Sequence, residues 1–369
     1  MKVRVDARGD TTSLADRKRR AGQRLMIGFE GPAVSDDLRH LVREIRPAGF
    51  VLFARNVVEP AQVRELNREL RSLSDASAPA LRCVDQEGGR VQRIGEPATA
   101  WPAMRLVGRE RESVGAVATA MARELRAMEF DLDFAPVADV DSNPSNPVIG
   151  DRSFGDRAAD VAVHVRTFVA ALQSEGIAAC AKHFPGHGDT AQDSHAELPV
   201  VEREERDLRD VELPPFAAAV EAGVASVMTA HVLYPAWDED DPATLSDRIV
   251  PMLLRKGLGF DGVVFSDDLE MKAIAGRLAV ETQVERATRA TVDVLLACRD
   301  PALQHALFLA LVHAQEEDAA RDHLSTDAVR RVEALRERFL LGRPPAPPLS
   351  VVGSMEHRVL ADLVRQRAA

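Results

Sequence analysis

Aromatic side chains are scarce in this chain: one Tyr, two Trp and 4% of 369 residues once Phe is counted. A surface that stacks nucleic-acid bases depends on such rings. The charge argues the same way, because 58 acidic against 47 basic side chains leave a net −11, which a phosphate backbone repels. Nucleic acid is therefore not an expected partner. No apolar run approaches the roughly 20 residues a membrane helix requires, so no membrane association is expected either. The first 25 residues lack the apolar stretch of a secretory signal, which points to a cytoplasmic protein. The three cysteines, Cys83, Cys180 and Cys298, are odd in number and lie in or beside apolar runs. That pattern suits reduced core thiols rather than a disulfide framework, and it lacks the close pairing of a zinc site. What is abundant is hydrophobic surface, 46% of residues, enough for a large core.

That material is laid out as short apolar strings separated by helical patterns. Gly49–Arg55, Pro79–Asp85, Phe130–Val140, Ile177–His183, Ala225–His231, Asp261–Asp267 and Val292–Cys298 read as strands buried on both faces, the mark of a parallel sheet. Between them, Val63, Leu66, Leu70 and Leu73, or Val161, Val165, Phe168 and Leu172, fall on one face at helical spacing. Seven strands with an eighth expected near Arg277–Val280 favour an α/β fold: a single (β/α)8 TIM-type barrel with a short C-terminal extension. A doubly wound sheet is the structural alternative, weakened by the lack of G-x-G-x-x-G after the first strand. The barrel is expected to span 1–341. A proline-rich stretch, Arg343–Leu349, then opens a tail, 342–369, ending in a short helix or loose segment.

In a parallel barrel the catalytic groups gather at the carboxyl ends of the strands. Five successive runs here end in ionisable residues: Asp85 to Arg93, Asp139 to Phe154, Lys182 to His195, His231, and Ser266 to Asp268. Packing alone does not call for such a rim. The Lys182–His195 segment holds three His, two Asp and one Lys. Gly186 and Gly188 beside Pro185 exclude a regular helix and suggest a loop able to move. Its side chains fit either a metal site built from His183, His187, Asp189, Asp193 and His195, or a sugar-binding and proton-transfer loop. Asp267 ends a buried strand and would face the barrel mouth, whereas Asp268 better suits a cap or turn. Asp139 and Asp141 fit either supporting or turn roles, and His231 either lines the mouth or serves the core.

The strings KHFPGHGDTAQDSH at 182–195, VDQEGGRVQR at 84–93, GDRSF at 150–154 and GVVFSDD at 262–268 resemble glycoside hydrolase family 3, in particular its short, single-barrel β-N-acetylglucosaminidases. The resemblance runs from about Gln23 to Leu341. It implies that Asp267 is the catalytic nucleophile, His195 the general acid/base and Asp193 the residue supporting that ring. It also implies that Asp85, Arg93, Arg152, Lys182 and His183 hold the terminal N-acetylglucosamine, and that no metal or organic cofactor is needed. The implied enzyme is a retaining exo-β-N-acetylglucosaminidase, a monomer acting on an N-acetylglucosamine-containing muropeptide or glycoside in cell-wall recycling. A metal-dependent hydrolase and a non-catalytic sugar-binding barrel are the rival readings. One departure from the family pattern is local: Ala290-Thr291-Val292-Asp293 stands where an Ala-Gly turn is expected before the last strand.

Overall fold

A computed structural model describes residues 13–191 and 198–368. Eight parallel strands close into a barrel: β1 Leu25–Ile27, β2 Gly49–Leu52, β3 Leu81–Val84, β4 Leu132–Asp133, β5 Ala178–Phe184, β6 Ser226–Thr229, β7 Val263–Asp268 and β8 Val294–Ala297. Each strand pairs with its successor, and β8 returns to β1 with Leu295 opposite Leu25. The expected (β/α)8 barrel is the observed fold.

The strand missing from the sequence reading is β1. Arg277–Val280 is instead a turn entering the helix Val280–Arg289. Three residues following the basic helix Leu14–Gly22 are too few to show a period of two, although all three are buried. The run Phe130–Val140 also contracts. Only Leu132–Asp133 is regular strand, because Pro136 has no N–H to give to a ladder. Pairing resumes as a single bridge between Val137 and Lys182.

The apolar strings are continuous because each strand buries both faces. Met26, Val51, Cys83, Leu132, Cys180, Met228, Phe265 and Leu296 form one cluster inside the barrel. Their strand neighbours Ile27, Phe50, Ala179, Val227, Val264 and Leu295 belong to the layer beneath the helices. A fully buried Leu, Met or Phe contributes roughly 1.5–3 kcal/mol, so these two layers dominate stability. The three cysteines are free and buried, as expected.

The amino end of the barrel is plugged by the helix Ala319–Phe339, whose Val332, Leu335 and Phe339 join the interior cluster. Its Arg336 donates to the carbonyls of Ala48 and Pro79, just ahead of β2 and β3. After residue 342 the chain runs extended, with Arg126 donating to the carbonyls of Pro344 and Pro345. It ends in the helix Met355–Ala368, packed on helices Met104–Arg109 and Ser113–Ala127. His357 on that helix is buried against Glu124, with Nδ1 2.8 Å from Oε1. Among the described residues no helix is long and apolar enough to cross a membrane.

Candidate active site

At the carboxyl ends of the strands lies a cavity of about 200 Å³, lined by Asp85, Glu87, Arg93, Arg152, Lys182, His183, His187, Asp267 and Asp268 among others. Asp85 follows β3 directly. Glu87 sits in a small hairpin, Gln86–Gly88 against Val91–Gln92, that turns back over the rim.

These side chains form one alternating charge network. Lys182 Nζ lies 2.6 Å from both Asp85 Oδ1 and Glu87 Oε1. Arg152 grips Glu87 with two parallel bonds, Nε to Oε2 and Nη2 to Oε1, each 2.8 Å. Such bidentate pairs fix orientation as well as charge. Arg93 Nη2 stands 3.5 Å from Asp85 Oδ2, with its guanidinium over the Phe53 ring. Burial alone would raise the Glu87 pKa, but Arg152 and Lys182 outweigh it and hold the carboxyl well below the usual range. Burial alone would lower Lys182, and the two carboxylates more than reverse that.

His183 is set by a residue the sequence left undecided. Its Nδ1 lies 2.7 Å from Asp139 Oδ2, and its main-chain N–H donates to Oδ1. An ionised carboxylate only accepts, so Nδ1 carries the hydrogen. His183 Nε2 is left 3.5 Å from Arg152 Nη2. Asp139 Oδ1 also takes the His187 N–H at 2.8 Å. His187 Nδ1 meets Thr190 Oγ1 at 2.8 Å, and burial pushes that ring down to about 4. Asp141 instead pairs with Arg105, beside the cavity rather than on it.

Asp267 and Asp268 both belong to β7 and both reach the cavity, yet they are held differently. Burial works to raise the Asp267 pKa, but His183, His231, the Asp268 N–H and Lys182 outweigh it, and the carboxyl stays below its usual value. Asp268 Oδ1 accepts from the N–H groups of Glu270 and Cys298 at 3.1 and 3.3 Å, the turn role expected of it. Burial, with the charges of Glu270 and Asp267, pushes Asp268 up to about 7. Asp267 is therefore the more fully ionised of the two at neutral pH.

The structure brings Asp85, Arg93, Arg152, Lys182, His183 and Asp267 to one cavity. Asp193 and His195 lie outside the described residues. Two glycines of the preceding segment allow close packing against neighbouring chain. A Cβ on Gly186 would meet Glu212 Oε2 at 2.1 Å, and one on Gly188 the Val140 carbonyl at 1.5 Å. Asn146 Nδ2 ties down the carbonyls of His187 and Gly188, and Arg203 clamps Asp189 with two 2.6 Å bonds. From His183 to Thr190 the chain is hydrogen-bonded to Asp139, Asn146 and Arg203. Among the described residues, no group of three or more His, Cys, Asp or Glu could hold a metal ion.

Residues 18–335 match the glycosyl hydrolase family 3 N terminal domain. The chain belongs to glycosyl hydrolase family 3. It is 37% identical over 344 residues to a beta-hexosaminidase of Thiobacillus denitrificans, covering 87% of this chain and 95% of that protein. A beta-hexosaminidase of Xanthomonas axonopodis is 42% identical over 282 residues, covering 74% of this chain and 83% of the other. Among solved structures, a family 3 beta-N-acetylglucosaminidase from Paenibacillus superposes with a TM-score of 0.89 at 38% identity, over 95% of this chain and 68% of that one. NagZ from Neisseria gonorrhoeae in complex with N-trifluoroacetyl-D-glucosamine gives a TM-score of 0.77 at 29% identity, over 94% and 98%. As a member of family 3 the protein is a glycoside hydrolase.

Within this family 3 site, the sequence reading passed over Glu87 and left Asp139 undecided. Glu87 stands two residues after Asp85, the separation that returns a strand residue to the same face, and that was the available signal. Asp139 had none, since its partner His183 is 44 residues away on another strand.

Proposed function

We propose that this chain is a retaining exo-β-N-acetylglucosaminidase that removes terminal non-reducing N-acetylglucosamine through a covalent glycosyl-enzyme. The observation that carries the reading is Asp267: an ionised carboxylate at a strand end, facing the same small cavity as the charged network of Asp85, Glu87, Lys182, Arg152 and Arg93. About 200 Å³ is below the roughly 300–1,000 Å³ of sites for drug-sized ligands and suits one sugar ring. The names of the beta-hexosaminidase relatives support the N-acetylated sugar.

In this mechanism Asp267 attacks the anomeric carbon as the glycosidic bond breaks, and the departing oxygen takes a proton from His195. Asp193 holds that ring and stabilises its charged form. Water then enters and gives a proton to His195, and its oxygen displaces Asp267 from the sugar. Two displacements retain configuration. Histidine suits the double role because its ordinary pKa, about 6.5, makes both protonation states accessible near neutrality. Asp85, Arg93, Arg152, Lys182 and His183 hold the sugar hydroxyls. The cellular substrate we propose is an N-acetylglucosaminyl muropeptide from peptidoglycan recycling, handled in the cytoplasm by a monomer without metal or organic cofactor.

A fluorinated mechanism-based glycoside inactivator, followed by peptide mapping, tests the assignment. The label is expected on the peptide carrying Asp267, and a label elsewhere overturns it. Paired nitrophenyl glycosides, one bearing a 2-acetamido group and one a 2-hydroxyl, test the sugar. Equal kcat/KM for the two removes the N-acetylglucosamine specificity.

A further inference from the structure

His231 follows β6 and is fully buried behind the strand end that carries Asp267. It does not line the cavity. Its Nε2 lies 3.1 Å from the main-chain carbonyl of Asp268, a group that can only accept, so Nε2 carries the hydrogen. Nδ1 lies 2.7 Å from Thr244 Oγ1, whose hydroxyl also reaches the Ala230 carbonyl at 3.0 Å. Thr244 Oγ1 is in turn 2.8 Å from Thr229 Oγ1 on β6, which also lies 3.4 Å from the Phe265 carbonyl. Thr229 and Thr244 are fully buried as well. Burial lowers the pKa of the His231 ring and so favours its neutral form. The ring is thus held between the Asp268 carbonyl on one side and the Thr244–Thr229 hydroxyl pair on the other.

Asp268 is the residue whose N–H donates to Asp267 Oδ1 at 2.8 Å. We infer that His231 is a positioning residue for Asp267: the hydroxyl pair fixes the ring, the ring fixes residue 268, and the N–H of residue 268 aims the Asp267 carboxylate. The Asp268 carbonyl keeps a second donor, the Met271 N–H at 3.0 Å, so losing the ring leaves no orphaned acceptor. The effect of removing it therefore falls on orientation. The inference deepens the proposed function and rests on Asp267 being the nucleophile.

The test uses the full chain with a nitrophenyl N-acetylglucosaminide. His231→Phe keeps a planar ring but neither donates nor accepts, whereas the amide of His231→Gln can do both. For His231→Phe, kcat/KM is expected to fall about 100-fold, the order of loss for a reacting group displaced by about 1 Å. Its affinity for N-acetylglucosamine, read by calorimetry, is expected to stay within about twofold, because the sugar contacts come from other strands. His231→Gln is expected to recover at least tenfold of the loss. Wild-type kcat/KM in His231→Phe overturns the inference, as does a Gln variant no better than Phe, or a parallel loss of sugar affinity. Should His231→Phe not fold, Thr244→Val carries the test: about a tenfold fall in kcat/KM is expected, and unchanged kcat/KM overturns the inference. Labelling the wild type with the inactivator separates the two levels. A label away from Asp267 removes the nucleophile assignment, whereas a label on Asp267 with an active His231→Phe removes only the role of His231.

Discussion

The two ends of the barrel use the same residue types to opposite purposes. At the amino end, buried arginines are satisfied largely by main chain. Arg24 donates to the carbonyls of Val292 and Asp293, Arg336 to those of Ala48 and Pro79, and Arg255 to that of Gly262 as well as to Asp293. Arg82 is closed by a bidentate pair with Asp131. At the carboxyl end, Lys182, Arg152 and Arg93 are balanced by carboxylates that themselves face a cavity. Main-chain carbonyls are held in place by the strands and turns that carry them, so the lower charges serve as struts. Side-chain carboxylates on an open cavity keep free lone pairs, so the upper charges can also engage a ligand. A buried charge is costly unless paired, and the difference lies in whether the pairing uses up its partners.

The sharpest way to break this comparison is Asp267→Ala. It is expected to cut kcat by some four to six orders of magnitude, as loss of a nucleophile does, while N-acetylglucosamine still binds and thermal unfolding barely moves. A variant with substantial turnover would remove Asp267 from the reaction. Next, Arg152→Ala is set against Arg336→Ala. The upper change leaves Glu87 with Lys182 alone and is expected to lower kcat/KM about 100-fold with little change in midpoint temperature. The lower change breaks two buried main-chain bonds and is expected to cost about 3 kcal/mol in denaturant unfolding with kcat preserved. Equal effects on stability and rate at both ends would erase the distinction.

A third, smaller effect concerns Asp268. Its folded pKa is raised to about 7, so the native state holds a proton that the unfolded chain has released. Stability from this group is complete below the ordinary Asp range, near 4, and is lost as pH rises through about 7. Asp268→Asn is therefore expected to flatten the fall in unfolding temperature between about pH 4 and pH 7, and an unchanged slope would contradict the raised pKa. The smallest effect belongs to Thr291, whose φ of 57° places a β-branched residue in left-handed backbone, at the turn where the family pattern has glycine. Thr291→Gly is expected to stabilise the fold by about 1 kcal/mol with activity unaltered.

The fold was legible because strands buried on both faces leave near-continuous apolar strings, and helices leave a stripe. Both are local signals. β1 escaped because three residues carry no period, and the search for an eighth strand then settled on a turn. Much of the site was legible too, because Asp85, Lys182 and Asp267 end strands and the topology makes strand ends converge. The supporting contacts were not. Asp139 serves His183, and Thr244 serves His231, only after the barrel has closed. The close approach of Glu212 to Gly186 and of Val140 to Gly188 was likewise invisible, because sequence cannot show which chain segment packs against a glycine.

The plug formed by Val332, Leu335 and Phe339 has one further consequence. Among the described residues, the helix at the amino end and Phe134 packed edge to face on Phe265 close the barrel interior behind the cavity. Whatever sugar is cleaved there must leave by the door through which the next substrate arrives. On the proposed retaining mechanism the aglycone would depart first and the monosaccharide last, so accumulating monosaccharide would compete directly with incoming glycoside for the empty barrel.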